Sequence, residues 1–361
     1  MTPSVMQRSA AALGPHAVRL ATVAVAIGSV TLVGGIALDR GQVALGALAA
    51  TWLFVAGIAA GGVAFSAAVR CSKGRWAREV LPAVEATAGF FPAALALLAI
   101  LVLGARLWIP GAAEASWGSW AWRCVRELGA TAVLFAAGSR YLHRARAEAV
   151  AAPSVAAVAY LLLYVSVLSM WAIDLVMDLH EWAPSTVIPP FVFIGALLGA
   201  IALGALAVAC DPEAGTRVRG DLGKLLFAMV IFWGYLVWAA YLPVWYGGMP
   251  DETGQLLARW TGGWKFVTGG VLAAVLGFPF FFLLPERTKR GRFPLVVVAS
   301  AILAGLLGER FLLVLPSLDL RAEPLSALIG AGVTIGALGL FVLGFGARLH
   351  STRGSAARPS E

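Results

Sequence analysis

Residues 43–69 read VALGALAATWLFVAGIAAGGVAFSAAV, an uninterrupted apolar run with no charged side chain. A hydrocarbon core about 30 Å thick is crossed by roughly 20 residues of helix, so this stretch is long enough to span a bilayer. Its residues are continuously apolar, whereas the strands of a membrane barrel would alternate with period two over roughly ten residues. Working outward by the same rule predicts about ten membrane helices, at 18–38, 43–69, 81–104, 128–143, 155–173, 188–210, 222–243, 264–284, 294–315 and 325–347. The fourth is the weakest, short and with Arg140 near its end. The first run is span-length without a small-residue cleavage site, and reads as a span rather than a signal. Composition agrees with an all-α integral membrane protein: 60% of residues are hydrophobic and 13% charged, against about a quarter charged in a globular chain. The expected organisation is an amino-terminal tail over 1–17, one polytopic membrane domain over 18–348 and a carboxy-terminal tail over 349–361.

Orientation follows from Lys and Arg. With an even number of spans, nineteen of the 27 fall on the face holding the termini and the loops around Arg70–Arg78, Arg140–Arg146, Arg217–Lys224 and Arg287–Arg292, and seven on the other. The positive-inside rule then predicts both termini in the cytoplasm of a bacterial inner membrane. The net charge of +8 is explained by these loops without any nucleic-acid partner.

Loop lengths repeat. A Trp-rich outer loop follows span three (Trp108, Trp117, Trp120, Trp122) and another follows span seven (Trp245, Trp260, Trp264). Trp108 and Trp245 lie 137 positions apart, Asp174 and Glu309 135. Either two helical hairpins are similar by chance, or spans two to five (about 43–173) and six to nine (about 188–315) are parallel four-helix repeats flanked by spans one and ten.

The chemistry available is limited. Paired histidines for haem are missing from the spans: His16 and His350 lie in the tails, His143 at a span end and His180 in an outer loop. Cys71, Cys124 and Cys210 have no metal-ligand spacing, so no metal is expected on this chain. No phosphate-binding glycine loop of the GxxxxGK[ST] type occurs, which argues against ATP-driven transport. Ionisable residues at membrane depth carry the remaining signal, because they are costly unless they serve a pathway or a pair. Glu85 is either an interfacial acid near Arg75 or Arg78 or a proton carrier. Asp174, Asp178, His180 and Glu181 are either a hydrated outer rim or a proton exit. Glu309 is flanked by apolar residues on both sides, and is either paired with Arg310 or a neighbouring helix, or a proton relay.

The most distinctive stretch is Phe232–Thr253, FWGYLVWAAYLPVWYGGMPDET. Tyr235, Trp238, Tyr241, Trp245 and Tyr246 read as an interfacial aromatic belt, or as a flat apolar slot for a quinone ring with phenol hydroxyls at its mouth. Asp251 and Glu252 form an acidic turn that a belt does not need. This stretch, with the later FPFFFLLPERTKR and the earlier MDLHEWAPSTVIPPFVFIGALLGAIAL, resembles the F-subunit family of alternative complex III, a bacterial quinol:cytochrome c oxidoreductase. That family belongs with the NrfD-like, polysulfide-reductase membrane subunits, built of two four-helix bundles with flanking helices. The resemblance implies a subunit without bound metal or redox centre, packed against a homologous C-type membrane subunit, an iron-sulfur subunit and multihaem cytochrome c subunits. It implies routes for protons and contact with quinol or quinone, with the main quinol site expected in the C-type subunit; Ala240 stands where the family pattern often has Gln. The function expected is that of a scaffold, quinol contact and proton pathway in a respiratory or photosynthetic electron-transfer complex, not catalytic alone. Alternatives are the membrane anchor of a molybdopterin-type oxidoreductase and, from another class, a secondary transporter.

Overall fold

The structure, a computed structural model, describes residues 14–109, 119–147, 155–179, 185–248, 250–318 and 324–356, with side chains for all of these except 146, 147, 250–252, 255 and 350–356. Among the described residues there is no strand. The helices are α1 (Pro15–Ala37), α2 (Gly41–Cys71), α3 (Leu81–Leu103), α4 (Trp120–Ala147), α5 (Val155–Leu175) and α6 (Ile188–Cys210). They continue as α7 (Thr216–Gly247), α8 (Pro250–Trp260), α9 (Trp264–Phe282), α10 (Arg292–Val314) and α11 (Pro324–Ala356).

Nine of these are long and apolar enough to cross a membrane; α4 and α8 are not. The expected fourth span exists as helix α4, but its charge-free middle covers only 128–139. Arg123, Arg126 and Glu127 lie at one end and Arg140 and Arg144 at the other. It runs beside α3 and α5, so neighbouring apolar helices cover what its own sequence would leave exposed. The chain is therefore a multi-pass, all-α membrane protein.

α2 occupies the centre. Its apolar length is wholly buried, against α3, α5, α6, α10 and α11. Lipid tails are as apolar as Leu and give helices no hydrophobic reason to associate, so close packing through small residues must supply the attraction. Gly62 shows how close: a Cβ there would lie 2.3 Å from the Val84 carbonyl oxygen and 2.4 Å from Thr87 Oγ1 on α3. Thr87 Oγ1 itself donates to the Ala59 carbonyl at 3.2 Å, so the α2–α3 seam is polar as well as tight. α1 and α11 pair in the same way, with a Cβ on Gly28 falling 2.4 Å from Gly336 Cα.

The region expected as an outer loop after span seven contains α8. Pro250 at the first position, Asp251 and Glu252 in the first turn, and Leu256, Leu257 and Trp260 beyond explain it: a helix start followed by apolar residues at helical spacing. α7 continues through Pro243 and stops at Gly248, which takes the left-handed conformation (φ 57°) common after helix ends. α9 contains a π-helical turn at Ala273–Gly277.

Gly62→Val is expected to lower the midpoint of detergent unfolding, by the roughly 1–3 kcal/mol or more that overpacking costs. Gly129→Ala, at a position with open space beside it, is expected to raise stability by about 0.5–1 kcal/mol. A neutral Gly62→Val would show that the α2–α3 contact is loose.

Candidate functional site

Most of the aromatic motif sits on the carboxy-terminal part of α7. A helix advances 100° per residue, so positions 234, 237, 238 and 241 share one side, 245 continues that side one turn further on, and 235 and 246 lie off it. Gly234, Val237, Trp238 and Tyr241 border a cavity of about 720 Å³ enclosed with α6, α8, α9 and α10. That volume lies within the range of small-molecule sites. Phe191, Leu272, Leu276 and Leu313 make apolar walls. Trp238 and Tyr241, 52% and 39% exposed, are also on the outer surface of α7, so the wall they form faces lipid.

The polar groups converge from three helices. Glu309 of α10, only 3% exposed, lines the cavity. Trp233 Nε1 donates to its Oε2 at 2.9 Å, and Arg310 Nη1 lies 3.0 Å from its Oε1 as an ion pair. Arg310 turns away from the cavity, its Nη2 donating to the Val192 carbonyl of α6 at 3.0 Å. Gly195 makes this fit possible, since a Cβ there would stand 2.6 Å from that nitrogen. Arg259 comes from α8; its Nε donates to the Leu312 carbonyl at 3.1 Å, while its Nη2 is buried without a hydrogen-bond partner. Thr268 Oγ1 donates to the Arg259 carbonyl at 2.7 Å and so braces α8 against α9. Burial pulls the Arg259 guanidinium down to about 10, which leaves it cationic at neutral pH. An apolar chamber thus presents a carboxylate and an unsatisfied guanidinium N–H, the groups that suit a flat ligand with an oxygen to accept from Arg259 and a hydroxyl to donate to Glu309.

A second set of buried and half-buried charges lies where the start of α4 meets the end of α5. Arg126 pairs with Asp174 and Arg123 with Asp178. Asp174 is 1% exposed, so it is not a hydrated rim. Glu127 is fully buried, with its carboxyl group beside that of Asp174. Close by, Trp171 donates to Thr131 Oγ1 at 2.9 Å, and its ring lies 4.6 Å from that of Trp52. Near the start of α3 Glu85 is buried too, but its partners are Arg70 (3.0 Å) and Ser66 (2.7 Å) of α2, not Arg75 or Arg78. Ser66 continues the chain to the Tyr141 hydroxyl at 3.2 Å.

Of the residues singled out in the sequence, Trp238, Tyr241 and Glu309 meet in one place. Tyr235, Trp245 and Tyr246 point outward at 59%, 63% and 85% exposure, as an interfacial belt would. Glu85, Asp174 and Asp178 belong to separate clusters. His180 and Glu181 lie outside the described residues, as do the side chains of Asp251 and Glu252, whose backbone opens α8. Arg259, Trp233 and Glu127 were not singled out. Arg259 looked like one more loop cation because α8 was unrecognised, and Glu127 carried no sign that its neighbours would bury it.

Among the described residues no group of three or more His, Cys, Asp or Glu side chains is placed to hold a metal ion. No protein-family model matches the chain, and no curated protein aligns with it significantly.

Arg126→Leu is expected to cost about 3–5 kcal/mol by leaving Asp174 charged and unpaired, whereas Arg126→Leu with Asp174→Leu should cost clearly less. Unfolding followed by tryptophan fluorescence measures both. A single variant no costlier than the double would mean that water reaches Asp174.

Proposed function

We propose that this chain is a membrane subunit of a quinol-oxidising electron-transfer complex of the alternative complex III type, and that the chamber between α7, α8, α9 and α10 receives the quinol ring. The observation that carries the reading is the buried Arg259 Nη2, without a hydrogen-bond partner, on the wall that also holds the Glu309 carboxylate. A buried donor left unmade costs about 1–3 kcal/mol, more when charged, and a ligand oxygen removes that cost. The resemblance of the aromatic motif to the F-subunit family supports the same assignment.

In this reading the quinol enters from the bilayer past Trp238 and Tyr241. One hydroxyl donates to Glu309 while an oxygen of the ring accepts from Arg259. Oxidation of the quinol to the quinone releases two protons and two electrons. One proton passes to the Glu309 carboxylate and the second to water at the mouth of the chamber. Both electrons leave through iron-sulfur clusters and haems of partner subunits. The acids near the outer face, buried Asp174 and Glu127 and half-buried Asp178, stand where protons would leave. The distribution of Lys and Arg supports an orientation with both termini in the cytoplasm of a bacterial inner membrane.

Glu309→Gln is expected to lower quinol-dependent cytochrome c reduction or its proton yield in the assembled complex. Arg259→Gln should weaken binding of a quinone analogue about tenfold or more, the loss expected for a hydrogen bond from a charged donor. Unchanged turnover, proton yield and affinity in both would remove the chamber from the mechanism. Purification in mild detergent is expected to bring down haem-bearing partners, and a colourless single polypeptide would count against the complex itself.

A further inference from the structure

The other end of α7 borders a second cavity, of about 380 Å³, lined by Thr216, Arg217, Gly220, Asp221, Lys224 and Arg290. Its walls are the first turns of α7 and the short helix Glu286–Arg290 that connects α9 to α10. The two segments are fixed to each other. Arg219 donates from Nη1 to the Ala214 carbonyl and from Nε to the Arg290 carbonyl at 3.3 Å. Gly223 allows the contact, since a Cβ there would stand 2.8 Å from the Lys289 carbonyl oxygen.

The charges in this cavity are not balanced internally. Arg290 pairs with Glu286 at the rim. Arg217 and Lys224 have neither a hydrogen bond nor an ion pair among the described residues, and Asp221 is the one acid in the lining. The first turn of α7 has no acidic residue, but the Glu79 carboxylate accepts from the Gly215 N–H at 3.3 Å at its start, so the positive character of the recess rests on Arg217 and Lys224. One turn further along α7 the surface becomes apolar. Lys289 Nζ lies 4.7 Å over the Phe227 ring, and Phe281 and Leu284 beside it are 73% and 57% exposed. A cationic recess bordering an exposed apolar strip matches a molecule with an anionic head and hydrocarbon tails.

We propose that this cavity holds the phosphate headgroup of an anionic phospholipid, with its acyl chains along Phe281 and Leu284. The site is at the opposite end of α7 from the quinol chamber and stands whether or not that chamber binds quinol. Basic residues on the inner face also act as topology signals, and these two roles differ in what the headgroup should do.

The test uses the full-length protein, delipidated in neutral detergent and titrated with phosphatidylglycerol, phosphatidylcholine or inorganic phosphate. Thermal unfolding and retained lipid, counted by native mass spectrometry, are read together. Phosphatidylglycerol is expected to raise the unfolding midpoint by several degrees and to stay bound, the other two to do neither. Arg217→Ala with Lys224→Ala should lose at least half of the shift, while Arg75→Ala with Arg78→Ala, exposed cations outside the cavity, should keep it. Thr216→Glu, which adds a carboxylate at an exposed position in the lining, should abolish it even if the double variant folds poorly. An equal shift from phosphatidylcholine or from phosphate alone, an equal loss in the Arg75/Arg78 control, or full retention in Thr216→Glu would each overturn the assignment.

Discussion

Charge inside an apolar helix packet is costly unless it is paired, and the arginines that pair with Glu85, Asp174 and Asp178 come from different helices. Glu85 of α3 meets Arg70 of α2, Asp174 of α5 meets Arg126 of α4, and Asp178, just beyond α5, meets Arg123 of α4. Glu309 meets its own neighbour Arg310, which in turn reaches a carbonyl of α6. Breaking one such pair costs about 3–5 kcal/mol because the survivor is left charged in a low dielectric. Each pair therefore fixes how two helices sit along each other. The same requirement explains α4, whose charged ends are too polar to be left against lipid. Its outer arginines are held by acids of the α5 region and its middle is covered by α3 and α5, so it belongs to the packet although its own hydropathy does not say so.

Buried acids sit in two kinds of surroundings. Asp174 is held by Arg126, near Trp171, whose ring lies 4.6 Å from that of Trp52. Glu309 instead lines a cavity whose apolar walls include Phe191, Leu272, Leu276 and Leu313. The same type of side chain thus closes a helix contact in one place and borders open space in the other.

The fold was legible because the membrane imposes a length on apolar runs. α1, α2, α6 and α10 begin and end within a few residues of the expected spans, and Gly- and Ala-rich α2 reads at once as a helix that others can surround. α8 was hidden because eleven residues with a polar first turn resemble a loop, and its identity depends on Leu256, Leu257 and Trp260 finding a surface to lie on. Glu309 was visible in the sequence as an acid with apolar neighbours. Arg259 was not, because a cation between two tryptophan-rich segments looks hydrated until α8 folds over the chamber. Contacts such as Glu85 with Arg70 rather than Arg75 or Arg78 depend on the turn after α2, which hydropathy does not encode.

The aromatic residues of α7 divide between its surface and the chamber wall. Tyr235, Trp245 and Tyr246 face outward, and rings such as Tyr241 and Trp245 stack 6.3 Å apart along the surface. Trp238 and Tyr241 also close the chamber, which makes them a lipid-facing wall rather than a barrier to water. Ala240 lines the same chamber, at the position where the F-subunit pattern often has Gln. A methyl group offers no hydrogen bond and leaves more room, so α7 contributes shape there, and polar recognition falls to Arg259 from α8 and Glu309 from α10. A ligand held this way needs its polar edge at the α8–α10 side and its apolar edge against α7, with any tail leaving past Trp238 into the bilayer. A small hydrophilic solute would have to desolvate against Trp238, Leu272 and Leu276, a cost that an apolar edge does not meet.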